Sequence, residues 1–275
     1  MEFSFLRFKL SMEKMEELFK MDRDYLATVV LTPAESKRLI GKAVANLPEV
    51  QNAFRKGKIL IIGSTTNAYV VEELLGIKIS KYRFAAGKIH NGKLGVNKKE
   101  ERIPPYIIRN GKVLDVELDE ILKEFDVNDV VIKGANAVDP YGNAGILLAS
   151  KTGGSVAKVI GTIFGIGAHF IIPVGLEKLI PSVYEAAESF KLRQNQIYST
   201  GLNVGFMPVT GAKVITEIES LEVLTSVIAV HVSSGGIGGS EGSVVLNIHG
   251  KKEEVTHAIE LIKNIKGEPS INPEN

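Results

Sequence analysis

Cysteine and tryptophan are both absent from the 275 residues. Without cysteine there is no disulfide, no thiolate metal ligand and no cysteine nucleophile. A surplus of either charge is missing as well: 33 Lys and Arg stand against 32 Asp and Glu, a formal net charge of +1. That balance leaves no electrostatic footprint for nucleic acid or an anionic membrane, so neither is expected as a partner. The histidines (His90, His169, His231, His249 and His257) lack metal-ligand spacing, and no metal site is expected. The first twenty residues, MEFSFLRFKLSMEKMEELFK, alternate charged and apolar side chains and lack the long apolar core of a secretory signal. The most apolar stretch, Val159 to Leu176, is broken by Thr162, His169, Pro173 and four glycines. It reads as a buried helix and a buried strand, not a membrane span. A cytoplasmic protein is the expectation.

What the chain does contain is an ordinary globular mixture, 44% apolar and 24% charged. Its length suffices for one large core, or for a core with a smaller domain beside it. Met12, Met15, Leu18 and Phe19 have helical spacing. Thr32-Pro33-Ala34-Glu35 is a capping box with proline at the first helical position, predicting a helix to about Asn46. Pro48 opens a second helix ending near Gly57. Residues 1–50 are thus expected to be a helical region covering a sheet. Lys58 to Ile62, Val130 to Ile132 and Phe170 to Val174 are near-continuous apolar runs alternating with helical patterns. That order predicts a Rossmann-like α/β domain over 51–200, a parallel sheet with helices on both faces. Two Asn-Gly pairs, Asn91-Gly92 and Asn110-Gly111, predict β-hairpins, with an exposed charged loop from Asn97 to Arg102 between them. The polar, glycine-bearing stretch from Gln194 to Pro208 reads as a boundary. Residues 208–275 then show the strand and helix order of a ferredoxin-like α+β unit. Its Gly-rich turn, Ser234 to Gly242, reads as a flexible hairpin tip before a ligand loop.

Three strand ends carry the polar small residues from which a ligand site is built. Gly63-Ser64-Thr65-Thr66-Asn67 joins a buried strand to a helix N-terminus, where free N–H groups and the helix dipole favour an anion. The same residue types also serve a plain helix cap. Lys133-Gly134-Ala135-Asn136 follows the central strand, and Asp139-Pro140-Tyr141-Gly142-Asn143 comes next, before a Gly153-Gly154-Ser155 helix start. Carboxyl ends of strands are where open α/β sheets hold ligands. Lys133 suits a phosphate, and Asn136 and Asn143 suit hydroxyls. The substrate-binding residues expected on these grounds are Gly63, Ser64, Thr65, Thr66, Asn67, Lys133, Gly134, Ala135, Asn136, Gly142, Asn143, Gly153 and Gly154.

Taken in order, Gly63 to Asn67, Gly134 to Asp139 with Gly142-Asn143, and Ile172-Pro173-Val174 with Leu176-Glu177-Lys178 form a pattern. It resembles the superfamily of ribose-5-phosphate isomerases, glucosamine-6-phosphate deaminases, class I coenzyme A transferases and methylthioribose-1-phosphate isomerase-like proteins. The resemblance spans about residues 50 to 185 and implies a Rossmann-like sheet whose strand-end loops hold a sugar phosphate or an acyl thioester. Ribose-5-phosphate isomerases carry an Asp-Gly-Ala-Asp-Glu run where this chain has Lys133-Gly134-Ala135-Asn136-Ala137. An amide cannot transfer a proton, so Asp139 and Glu177 are the expected acid–base or nucleophilic groups. The expectation is binding and transformation of a small anionic metabolite by a homo-oligomer, with the cofactor unspecified. The alternative is a non-catalytic metabolite-binding or regulatory protein using the same pocket. A purely structural interaction protein ranks last, because it leaves Lys133 to Asn143 unexplained.

Overall fold

The structure, a computed structural model, describes residues 25–273. The helical spacing of Met12 to Phe19 lies outside them. The described residues open on a strand, β1 (Tyr25–Leu31), within the region where the sequence pattern predicts only helix. Thr32 ends it and caps α1 (Pro33–Asn46): the Glu35 N–H donates to Thr32 Oγ1 and the Thr32 N–H donates to Glu35 Oε2 at 2.9 Å. After α2 (Pro48–Lys56) come β2 (Lys58–Ile61), α3 (Thr65–Leu75), α4 (Lys81–Phe84) and the hairpin β3 (Gly87–His90) with β4 (Lys93–Val96). A second hairpin pairs β5 (Tyr106–Arg109) with β6 (Lys112–Leu114), and α5 (Leu118–Ile121) precedes β7 (Val130–Ile132). Both hairpins turn on the expected Asn-Gly pairs, with φ of 49° at Asn91 and Asn110.

A six-stranded sheet in the order β12-β10-β7-β2-β5-β6 forms the middle of the molecule. β10 is His169–Pro173 and β12 is Lys213–Ile215. β12, β10, β7 and β2 pair parallel, β5 pairs antiparallel with β2, and β6 antiparallel with β5. The sheet is therefore mixed: β5 returns antiparallel to β2 after a long connection, and the tight Asn110-Gly111 turn reverses the chain again into β6. Side chains alternate across it. Leu60, Val131, Phe170 and Ile172 pack on α6 (Gly154–Ile166) through Val156, Val159 and Ile163. Ile59, Ile61, Val130, Ile132 and Ile171 pack on α1, α2 and α3 through Ile40, Val44, Val50 and Val70. Both faces are covered by helices.

Between β7 and α6 the chain forms β8 (Ala137–Val138) and β9 (Ala144–Leu148), which β11 (Gly205–Val209) joins antiparallel in a small sheet, β11-β9-β8. The polar stretch before Pro208, which follows α7 (Val183–Ser189), is thus tied into the middle of the molecule. A third sheet, β1-β14-β13, consists of β13 (Ile228–Gly235) and β14 (Ser243–Gly250) with β1 along the other edge of β14. It packs on α8 (Glu217–Thr225) and α9 (Lys252–Ile265) around Leu221, Leu246, Ile248, Val255 and Ile262. The ferredoxin-like order expected for 208–275 meets two differences. β12 extends the large sheet beside β10, where Ile215 is 1% exposed in the core. No strand follows α9 among the described residues, and the other edge of β14 is taken by β1, from the far end of the sequence.

Candidate functional site

Register brings the strand ends together. Ile61 lies opposite Ile132, and Ile132 opposite Ile171, so the segments after β2, β7 and β10 leave one sheet edge at the same level. Close approach of the first two turns depends on glycine: a Cβ on Gly134 would lie 2.5 Å from Ser64 Oγ, and one on Gly63 would lie 2.2 Å from the Phe84 carbonyl oxygen. Over this edge lies a cavity of about 780 Å³. Its floor is Gly63, Ser64, Thr65, Lys133, Gly134, Ala135 and Asn136. One wall is the start of α6, Gly153 to Val156, together with Ile146 to Ser150. The β3–β4 hairpin, with Lys99, Arg102, Pro104 and Pro105 behind it, closes the other side.

Charge in this cavity has one sign. Lys88, Lys99, Arg102, Lys133 and Lys178 line it, and among the described residues no aspartate or glutamate does. Two helix N-termini open onto it. Ser64 caps α3 by accepting the Asn67 N–H at 3.0 Å, whereas Gly153 gives α6 no side-chain cap. Lys133 Nζ donates to the Gly134 carbonyl at 2.9 Å, and Lys178 Nζ to the Ala135 carbonyl at 3.0 Å. Burial pushes the Lys133 ammonium down to about 8, and the charge of Lys178 adds to this. Lys178 is also pushed down to about 8, by burial first and then by Lys37, against the opposing pull of Glu177 and Glu217.

Thirteen binding residues were expected from the sequence. Gly63, Ser64, Thr65, Lys133, Gly134, Ala135, Asn136, Gly153 and Gly154 line the cavity. Thr66 and Asn67 face inward instead, 2% and 0% exposed. Asn67 Nδ2 donates to the Ile62 carbonyl at 2.7 Å and the Ile132 carbonyl at 3.2 Å, fastening the ends of β2 and β7. Gly142 and Asn143 lie away from the cavity because β8 carries the chain out of it, and they form the turn to β9. Asp139 organises that turn. Its buried carboxylate accepts the N–H groups of Tyr141, Asn143 and Val183 and the side-chain amide of Asn143. Glu177 also lies off the cavity lining, paired with Lys37 at 2.6 Å. Neither expected acid–base carboxylate reaches the cavity wall.

Several lining residues escaped the sequence reading. Lys99 and Arg102 belong to the charged stretch taken for an exposed loop. It is anchored by Asn97, whose buried side chain donates to the carbonyls of Tyr82 and Ala85 at 2.7 and 2.8 Å. Lys88 and Leu94 arrive on the Asn91-Gly92 hairpin, and Leu202 and Val204 on the polar stretch before Pro208, neither of which carries a ligand motif. His169 is exposed at the start of β10, and the turn after β13 does not line the cavity. Among the described residues no three His, Asp or Glu side chains gather as metal ligands, and no helix is long and apolar enough to cross a membrane. Comparison with known proteins adds no relative: no family model, no curated protein and no solved structure matches this chain.

Proposed function

We propose that the cavity binds a small anionic metabolite (a sugar phosphate, nucleotide or acyl thioester) and that the protein transforms it. The observation carrying this reading is the set of five cations that line one cavity, with no carboxylate beside them among the described residues. Such an arrangement stores repulsion that an anion relieves, and two helix N-termini add favourable dipoles. The apolar part of the wall, Phe84, Ile103, Ile146, Val156 and Leu202, suits a carbon skeleton behind the anionic group. The proposal keeps the resemblance to sugar-phosphate isomerases and coenzyme A transferases, with their Rossmann-like sheet and a ferredoxin-like C-terminal unit, and takes the protein as a cytoplasmic homo-oligomer. The test is calorimetric titration with inorganic phosphate and ribose 5-phosphate. Lys133→Ala should weaken binding by about 1.5–3 kcal/mol, the range for a charge-assisted hydrogen bond. Thr66→Val, altering a hydroxyl that does not line the cavity, should leave it unchanged. Absence of binding, or equal binding by Lys133→Ala, would sink the proposal.

A second reading, binding without turnover, draws support from Asp139 and Glu177. Both carboxylates are engaged by protein partners away from the cavity. It predicts unchanged substrate after prolonged incubation under conditions where binding is measured.

A further inference from the structure

Lys133 and Lys178 reach the cavity from the ends of neighbouring strands, β7 and β10, and are fastened to consecutive carbonyls, those of Gly134 and Ala135. Two ammonium groups held in this way repel each other, and among the described residues no carboxylate lines the space they face. Their other neighbours differ. Glu177, itself held by Lys37, and the fully buried Glu217 at the start of α8 both favour the charged form of Lys178. Lys133 has no such support among the described residues; burial and Lys178 both act against its charge. We propose that Lys133 is an amine nucleophile that forms an imine with an aldehyde or ketone ligand, with Lys178 as the neighbouring proton donor. This rests on the cavity being a ligand site, and it names the reactive class of that ligand as a carbonyl compound.

The step balances within these groups. Neutral Nζ of Lys133 attacks the carbonyl carbon, a C–N bond forms, and the carbonyl electron pair moves to oxygen. A proton passes from the nitrogen to that oxygen, giving a carbinolamine. Lys178 protonates the hydroxyl, which leaves as water while the nitrogen lone pair forms the C=N bond. The iminium proton returns to Lys178, so amine and carbonyl give imine and water. The Gly134 carbonyl accepts one N–H of Lys133 and leaves the lone pair uncommitted. With its proton lost near pH 8, roughly a tenth of Lys133 is neutral at pH 7, against less than about a thousandth for an ordinary lysine. A desolvated lysine beside a second cation is the usual way to activate such an amine.

Two measurements decide the matter. Competitive acetylation with trace acetic anhydride between pH 6 and 11, mapped by peptide mass, reports each amine without an anionic ligand. Lys133 should be half-reactive near pH 8 and exposed lysines two or more units higher, with Lys178→Met moving the Lys133 midpoint upward. Incubation with dihydroxyacetone phosphate and cyanoborohydride should give one adduct, on Lys133, that is absent in Lys133→Arg. Phosphate binding by calorimetry with no Lys133 adduct and a midpoint above 10 overturns the amine while leaving the anion site standing. A midpoint near 8 with the Lys133 adduct but no phosphate binding supports the amine and removes the anion reading. The acetylation uses the unaltered protein, so it does not depend on any variant folding.

Discussion

At the scale of single residues, two lysines and one aspartate set opposite expectations. The folded protein releases the protons of Lys133 and Lys178 near pH 8, whereas an unfolded lysine keeps its proton to about 10.4. Between those values the unfolded chain binds more protons, so stability rises with pH over that interval. Below pH 8 both states are protonated, and the cost of holding these half-buried, mutually repelling charges is present. Lys133→Met should therefore be more stable than the parent at pH 7, by roughly 1–3 kcal/mol after loss of one hydrogen bond, and the gain should fade near pH 10.5. Urea unfolding at the two pH values measures this. Phosphate affinity carries the same signature in reverse: it should fall as pH rises through 8. Asp139 is the contrasting case. Its carboxylate joins the β8–β9 turn to the segment at Val183, so Asp139→Ala should destabilise by about 2–4 kcal/mol without altering phosphate affinity. The sequence showed that Asp139 is polar and sits in a turn; it could not show which way β8 would carry that turn, because a two-residue strand has no periodicity to read.

Among the elements, those formed by local chemistry were legible and those formed by long-range pairing were not. The capping box at Thr32, the Asn-Gly hairpins and the apolar runs of β2, β7 and β10 each state their structure within a dozen residues. The floor of the cavity follows from them, since parallel strands in register bring their turns to one edge. The roof does not. β4 is fixed over the cavity by two backbone bonds, from the Leu94 N–H to the Thr200 carbonyl and from the Leu202 N–H to the Leu94 carbonyl, both 2.9 Å. Backbone groups carry no sequence signature, so nothing linked Lys88 to the site. Gly201 makes the contact possible: it has φ of 96°, and a Cβ there would lie 2.2 Å from the Leu94 carbonyl oxygen. Gly201→Ala should release the hairpin. Hydrogen exchange at the Leu94 and Leu202 amides is expected to quicken at least tenfold, with amides of β7 unchanged; equal protection would mean the roof is held by other contacts.

For the whole molecule, the notable connection is β1 with β14. Leu31, fully buried with Leu246 and Ile248, ties the start of the described chain into its last sheet. Deleting residues 1–31 should cost at least about 3 kcal/mol, in the range for removing a buried leucine, and should be felt first in β13 and β14. Helices cover one face of this sheet, while Leu26, Val30 and Val232 are exposed. Self-association through that unit is the expected outcome. Sedimentation should show a smaller particle for Val30→Glu than for the parent, and equal mass would place any interface elsewhere. The same pairing has a consequence for synthesis on the ribosome. Thr28 and Asn247, joined side chain to side chain at 2.7 Å, stand 219 residues apart. At about 5–20 residues per second, β1 emerges roughly 10–40 s before its partner exists. Throughout that wait, while the central sheet is still being translated, the nascent chain carries an apolar strand with two open edges, which makes β1 a segment that a chaperone would cover.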